Sequence, residues 1–255
     1  MTLVARPDGA ILHSDISGNG PPLLLITGLS GRAAFWDAAL PLLAGRTLIR
    51  FDQRGIGRSS RGTARMDVAC IAEDALAVLD AHGIATADVL GHSMGGVTAQ
   101  TIAAVAPQRV RKLILSGTWH RSDTYMRVQF AMRRRVLASD PVAYVQIGAL
   151  LGFSPDWVAA HPPAPDASEA DATVIGERID ALMAFDGAAL PPPAAPVLII
   201  GTGDDRVVPP NLQQALHAAL PGSTLHMLDG GGHFYPATRA AEFADVVNEF
   251  LGAVA

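Results

Sequence analysis

Leu90-Gly91-His92-Ser93-Met94-Gly95-Gly96 is the stretch on which the reading of this 255-residue chain turns. An apolar run, Ala87-Asp88-Val89-Leu90, precedes it. A helix-forming run, Val97-Thr98-Ala99-Gln100-Thr101-Ile102-Ala103-Ala104, follows it. Strand, Gly-x-Ser-x-Gly, helix is the pattern of a nucleophile elbow, which stands a serine hydroxyl exposed on a sharp turn. The turn strains the serine backbone. Small residues on both sides let strand and helix crowd together, which is the part Gly91 and Gly95 would play. The helix start adds partial positive charge where an oxyanion would form. Alone, the pentapeptide fits equally well a glycine-rich turn with Ser93 as a helix N-cap. The surrounding chain separates the two readings.

Leu23-Leu24-Leu25-Ile26 is apolar without alternation, which marks a strand covered on both faces. Residues 47–52, 110–116 and 196–201 read as further strands, and 224–228 as another. Residues 1–17 read as two short strands around Pro7-Asp8-Gly9. Residues 33–43 read as a helix. Residues 66–82 form a stronger one, with Val68, Ile71, Ala72, Ala75, Leu76 and Leu79 on one face and Gly83 at its end. Strands alternating with helices predict an α/β fold with a parallel, doubly wound sheet. Sites in such sheets form at the carboxyl ends of strands, where Thr27-Gly28-Leu29, Asp52, Ser93 and Gly117 fall.

The alternation breaks at Trp119. From there to Leu190 the chain carries helical runs at 122–139, 142–151, from Ser154 onward, and at 170–185, with prolines 162, 163 and 165 between the last two. An insertion of this kind after a sheet strand predicts a helical cap, or lid, over the strand ends. The expected organisation is therefore a core of residues 1–118 and 191–255 with a cap of residues 119–190.

The formal net charge of -5 and the lack of a basic tail argue against a nucleic-acid partner. No apolar run approaches the length of a membrane span, the N-terminus carries no signal-like apolar stretch, and the one cysteine cannot form an internal disulfide. A cytoplasmic protein with a small-molecule substrate and no membrane partner is expected. The composition leaves open whether the chain self-associates. Metal-ligand spacing and a phosphate loop are absent from the sequence, so no cofactor is expected.

A serine hydroxyl needs an adjacent base, and the base needs an acid to orient it. Two later strand ends supply candidates: Asp204, with Asp205 beside it, and His233. The order Ser93, Asp204, His233 is that of the α/β-hydrolase superfamily, which the chain resembles over nearly its whole length. Asp52-Gln53-Arg54-Gly55-Ile56-Gly57-Arg58-Ser59 is close to the family's Asp-x-Arg-Gly-x-Gly-x-Ser, Gly91 to Gly95 is the elbow, Gly201-Thr202-Gly203-Asp204 with Pro209 resembles the acid loop, and Gly232-His233 resembles the histidine loop. Thr27-Gly28-Leu29 lies where the family carries His-Gly-x. Thr27 departs from that pattern, so a shifted hydrogen bond is expected to support the loop.

The resemblance implies a mostly parallel eight-stranded sheet with the cap after strand 6. It also implies roles: Ser93 attacks, His233 carries the proton, Asp204 orients His233, and the backbone N–H groups of Leu29 and Met94 form the oxyanion hole. Asp204 is preferred to Asp205 because it stands three residues after Gly201. Trp119 and His120, past a strand end, and Arg127, on the first cap helix, are candidates to line the pocket. Arg127 is suited to hold a substrate carboxylate. Packing, for the first two, and a solvated helix face, for Arg127, are the competing readings.

The acid loop looks like that of 3-oxoadipate enol-lactonases. The cap, with Trp119, Arg121, Arg133-Arg134-Arg135, Pro155-Asp156-Trp157 and Ile179-Asp180-Ala181-Leu182, resembles the aminoacrylate hydrolases of pyrimidine degradation. A serine hydrolase of a small ester, enol-lactone or enamine-type intermediate is the expectation. The same scaffold supports carbon–carbon bond hydrolases, perhydrolases, lyases and non-catalytic ligand binding.

Overall fold

In a computed structural model that describes residues 1–43, 45–162 and 172–252, eight strands share one sheet. In chain order they are β1 (Thr2–Ala5), β2 (Ile11–Ser17), β3 (Pro22–Ile26), β4 (Thr47–Phe51), β5 (Ala87–His92), β6 (Val110–Ser116), β7 (Val197–Thr202) and β8 (Thr224–Leu228). Their spatial order is β1-β2-β4-β3-β5-β6-β7-β8. The two pairings of β2 are antiparallel and all others are parallel. The doubly wound α/β-hydrolase sheet expected from the sequence is therefore present.

The helices between strands are α1 (Val68–Ala81) and α2 (Met94–Val105). Four more, α3 (Thr124–Ser139), α4 (Pro141–Gly152), α5 (Pro155–Ala160) and α6 (Ala172–Ala184), lie in sequence between β6 and β7. Then come α7 (Pro210–Ala219), α8 (Tyr235–Thr238) and α9 (Ala240–Leu251). Asp67, Asp123, Asp140 and Ser154 cap α1, α3, α4 and α5 with side-chain oxygens on N–H groups of the first turn. Prolines 163 and 165, and the expected start of the fourth inserted helix at residue 170, lie outside the described residues. Residues 33–43 are not one helix. They form two 3-10 turns, Ala33–Trp36 and Leu40–Leu43, because Pro41 has no N–H to donate to a continuous helix.

Strand side chains alternate between two apolar layers, as a period of two requires. Leu24, Ile26, Val89, Leu113, Leu115 and Ile199 join α1, α2 and Leu216 of α7. Leu23, Leu25, Leu90, Ile114, Leu198 and Ile200 face Trp36, Tyr235, Phe243 and Val247. The row Leu25, Leu90, Ile114, Leu198 runs across four parallel strands in register. A third cluster joins Met94 and Val97 of α2 to Trp119 and to Phe130, Tyr144 and Ile179 of the inserted helices. Among the described residues no helix is long and apolar enough to cross a membrane.

The loop after β4 is held by ions. Arg54 bonds Asp74 of α1 twice, at 2.8 and 2.7 Å, and also pairs with Asp8. Arg54 and Asp74 side chains are 2% and 1% exposed, so each ion is compensated only by its partners. Arg54→Met is expected to lower stability by about 2–4 kcal/mol, because it leaves the buried Asp74 with Arg6 Nε, at 2.9 Å, as its remaining cation. Urea unfolding of the variant would check this, and an unchanged midpoint would show the network to be idle.

Candidate active site

Ser93 ends the tight connection from β5 into α2 with φ 57 and ψ -120, and is the one non-glycine residue with positive φ among those described. Such a conformation costs of order 1–3 kcal/mol and persists only where neighbours impose it. Those neighbours are visible. Ser93 N–H donates to Ser116 O at 2.8 Å, and Ser93 O accepts from Gly96 N at 2.8 Å and from Thr118 Oγ1 at 2.8 Å. A Cβ at Gly91 would collide with the Gly95 backbone, and one at Gly95 would collide with the Ile26 and Thr27 carbonyls. Both glycines are thus fixed by close backbone approach.

His233 follows β8 and is 2% exposed. Its Nδ1 lies 2.7 Å from Asp205 Oδ2. The other Asp205 oxygen accepts from the N–H groups of Val207 and Val208, each at 2.8 Å. The sequence expectation of Asp204 in this position is corrected. Asp204 is exposed and accepts from Gly232 N at 2.9 Å and Gly231 N at 3.2 Å, so it braces the histidine loop from outside. The reason is strand length: β7 runs through Thr202, pairing it with Leu228, and Gly203-Asp204 form the turn beyond. The first residue to face inward after that turn is Asp205. The inserted helices also touch this loop. Gly152 O, at the end of α4, accepts from His233 N at 2.8 Å and Phe234 N at 3.2 Å, and Arg206 Nη2 donates to Phe153 O at 2.7 Å.

His92, before Ser93, is buried and its ring lies 4.8 Å from the His233 ring. Tyr235 O–H donates to Ile200 O at 2.8 Å, so Tyr235 Oη accepts from the Ser116 hydroxyl at 2.6 Å. Ser116 Oγ then accepts from His92 Nδ1–H at 3.0 Å. Burial, and secondarily the His233 charge, hold the His92 pKa well below the usual histidine range. It is held neutral on Ser116, and of the two histidines it is His233 that contacts the Asp205 carboxylate.

The loop after β3 approaches Ser93 closely: a Cβ on Gly28 would stand 3.1 Å from Ser93 Cβ and 3.6 Å from Oγ. Leu29 is half-buried, and its N–H finds no acceptor among the described residues. Met94 opens α2, so its N–H has no partner within the helix. The support for this loop has shifted as Thr27 suggested. Gln53 Nε2 donates to Thr27 O at 2.7 Å and to Thr27 Oγ1 at 3.0 Å.

The other candidates are a packing residue beside Met94 and Leu29 and two residues nearer the surface. Trp119 is fully buried in the apolar cluster under the inserted helices. His120 lines a separate surface cavity of about 380 Å³ with Gln100, Gly187 and Pro191, and none of Ser93, Asp205 or His233 borders it. Arg127 is exposed, with Nη1 on Ser122 O at 2.6 Å. The buried face of α3 is Met126, Gln129, Phe130, Arg133 and Leu137, and residue 127 is one step off it. The arginines that sequence reasoning missed are Arg133, seated over the rings of Phe130 and Tyr144, and Arg178, fully buried at the loop after β3. The available signal for Arg178 was its place inside the apolar face Val174, Ile175, Ile179, Leu182 of α6.

Comparison with known proteins agrees with the fold. The alpha/beta hydrolase fold family matches residues 21–141. The Azorhizobium caulinodans protein named "Putative carbamate hydrolase RutD" is 34% identical over 98% of this chain and 98% of its own. Among solved structures, a hydrolase from Pseudomonas aeruginosa superposes with TM-score 0.87 at 26% identity, covering 99% of this chain and 98% of that one. The enol-lactonase from Burkholderia xenovorans shares the fold, with TM-score 0.86 at 24% identity over 95% and 96%.

Proposed function

The chain belongs to the alpha/beta hydrolase family and is a hydrolase, and from that premise we propose a serine hydrolase in which Ser93 attacks, His233 carries the proton and Asp205 orients His233. The observation that carries the proposal is the buried 2.7 Å contact of His233 Nδ1 with Asp205, side chains 3% and 0% exposed, with the His233 ring 4.8 Å from that of His92, the residue before the strained Ser93. Because Nδ1 donates to Asp205, Nε2 is the basic nitrogen. It takes the Ser93 proton as Oγ adds to the substrate carbonyl. Asp205, itself held by two N–H groups, stabilises the imidazolium that forms. The N–H groups of Leu29 and Met94 receive the oxyanion. His233 then protonates the leaving group, and a water deprotonated by His233 releases the acyl group from Ser93.

The substrate class is a small ester, enol-lactone, carbamate or enamine-type intermediate. The carbamate enters from the name of the relative at 34% identity. An enamine would use the same base with water in place of Ser93. We further propose that α3 to α6 act as a lid, which Gly152 couples to the His233 loop. The test is a stopped assay of wild type against short p-nitrophenyl esters, enol-lactones and carbamates. Turnover of one class supports the reading and narrows the substrate. Absence of turnover on every member, with peroxide-dependent halogenation or carbon–carbon cleavage instead, contradicts it.

A further inference from the structure

Arg178 is completely buried, and no carboxylate of the described residues forms an ion pair with it. Its Nη1 has no hydrogen-bond partner among the described residues. Burial pulls its pKa down to about 10, against the influence of Tyr144 and Asp74, so it stays charged at neutral pH. Burying a guanidinium without a counter-ion is unfavourable, and a long apolar side chain would fill the same space at lower cost. The charge is spent on backbone instead. Nε donates to Leu29 O at 2.8 Å, Nη2 donates to Gly28 O at 3.2 Å, and Nη2 also bonds Gln53 Oε1. The same Gln53 holds Thr27 O at 2.7 Å. Three successive carbonyls, of Thr27, Gly28 and Leu29, are thus gripped by one Gln53–Arg178 unit.

The consequence follows from peptide geometry. The described residues contain no cis peptide bond, and in a trans peptide the C=O of one residue and the N–H of the next point in opposite directions. Gly28 O also accepts from Gly31 N at 3.1 Å, so the guanidinium and that backbone turn together fix the Leu29 N–H on the opposite side. A cation on the carbonyl also polarises that peptide and makes its N–H a stronger donor. We propose that Arg178 is the positioning residue of the oxyanion hole, which ties donor geometry at Leu29 to helix α6; this rests on the reading of Leu29 and Met94 as the oxyanion donors.

Arg178→Met, Arg178→Lys and Gln53→Leu should be compared with wild type and Ser93→Ala on p-nitrophenyl acetate. Arg178→Met is expected to lower kcat about 100-fold, in the range seen when one oxyanion donor is lost, with KM changed less than about threefold. Arg178→Lys keeps the charge and reaches one carbonyl, so it is expected to recover about tenfold of that loss. Phosphonylation by a fluorophosphonate should slow in parallel, since it too builds charge on that oxygen. A merely structural arginine would lower the melting temperature and leave kcat per folded molecule unchanged. If Arg178→Met fails to fold, Gln53→Leu decides: a kcat about tenfold lower at unchanged KM supports the proposal, and a kcat within about twofold overturns it. Full turnover by Ser93→Ala would instead overturn the serine-hydrolase reading itself. Loss in Ser93→Ala with wild-type kcat in folded Arg178→Met overturns only the role of Arg178.

Discussion

Ser93→Ala is expected to lower kcat for ester hydrolysis by about 10⁶-fold, as removal of the nucleophile does in other triads. The substitution removes one oxygen and nothing that supports the fold. Ser93 N–H and C=O make the turn, through Ser116, Gly96 and Thr118, and those bonds are backbone atoms that alanine retains. The φ of 57 is unfavourable for alanine as for serine. Thermal unfolding within a few degrees of wild type is therefore expected beside near-total loss of turnover. KM should change little, because the hydroxyl contributes to the transition state more than to ground-state binding. Steady-state kinetics of purified protein checks both halves.

Asp205→Asn should lower kcat by about 10⁴-fold, and Asp204→Asn by less than about tenfold. The two residues are adjacent in sequence and differ in what they touch. Asparagine at 205 presents an amide where His233 needs an acceptor, so the imidazole is driven into the wrong tautomer, and no charge faces the imidazolium. The N–H groups of Val207 and Val208 still find the amide oxygen, so the loop keeps its shape. At 204 the carboxylate meets only the N–H groups of Gly231 and Gly232 from an exposed position. An amide oxygen serves one of them nearly as well. A pair of single variants thus separates an acid that orients His233 from one that braces its loop.

The elbow was legible because its chemistry is local. Gly91 is demanded by the Gly95 backbone one turn away, and Gly95 by the Ile26 and Thr27 carbonyls at the end of the neighbouring β3. The central strands were legible as apolar runs that put alternate residues into two separate layers. The acid was not legible to one residue. Spacing from Gly201 cannot show whether β7 ends at Gly201 or Thr202, and that one residue exchanges the inward and outward carboxylates. Arg127 failed for a similar reason of phase. A place on the first cap helix does not say which side of that helix is covered, and packing chose the Met126–Arg133 side of α3. Arg178 and Gln53 lie 125 residues apart in sequence and meet across the loop after β3. No local pattern announces such a meeting, although the unsupported Thr27 required something there.

The most direct measurement is the rate and position of fluorophosphonate labelling, read by mass spectrometry of the intact protein and of the peptide containing Ser93. The account predicts one adduct on Ser93 in wild type and in Asp204→Asn at similar rates. It predicts no adduct in Ser93→Ala, and labelling at least about 10³-fold slower in Asp205→Asn. Labelling that is fast in Asp205→Asn and lost in Asp204→Asn, or an adduct that persists in Ser93→Ala, would contradict it.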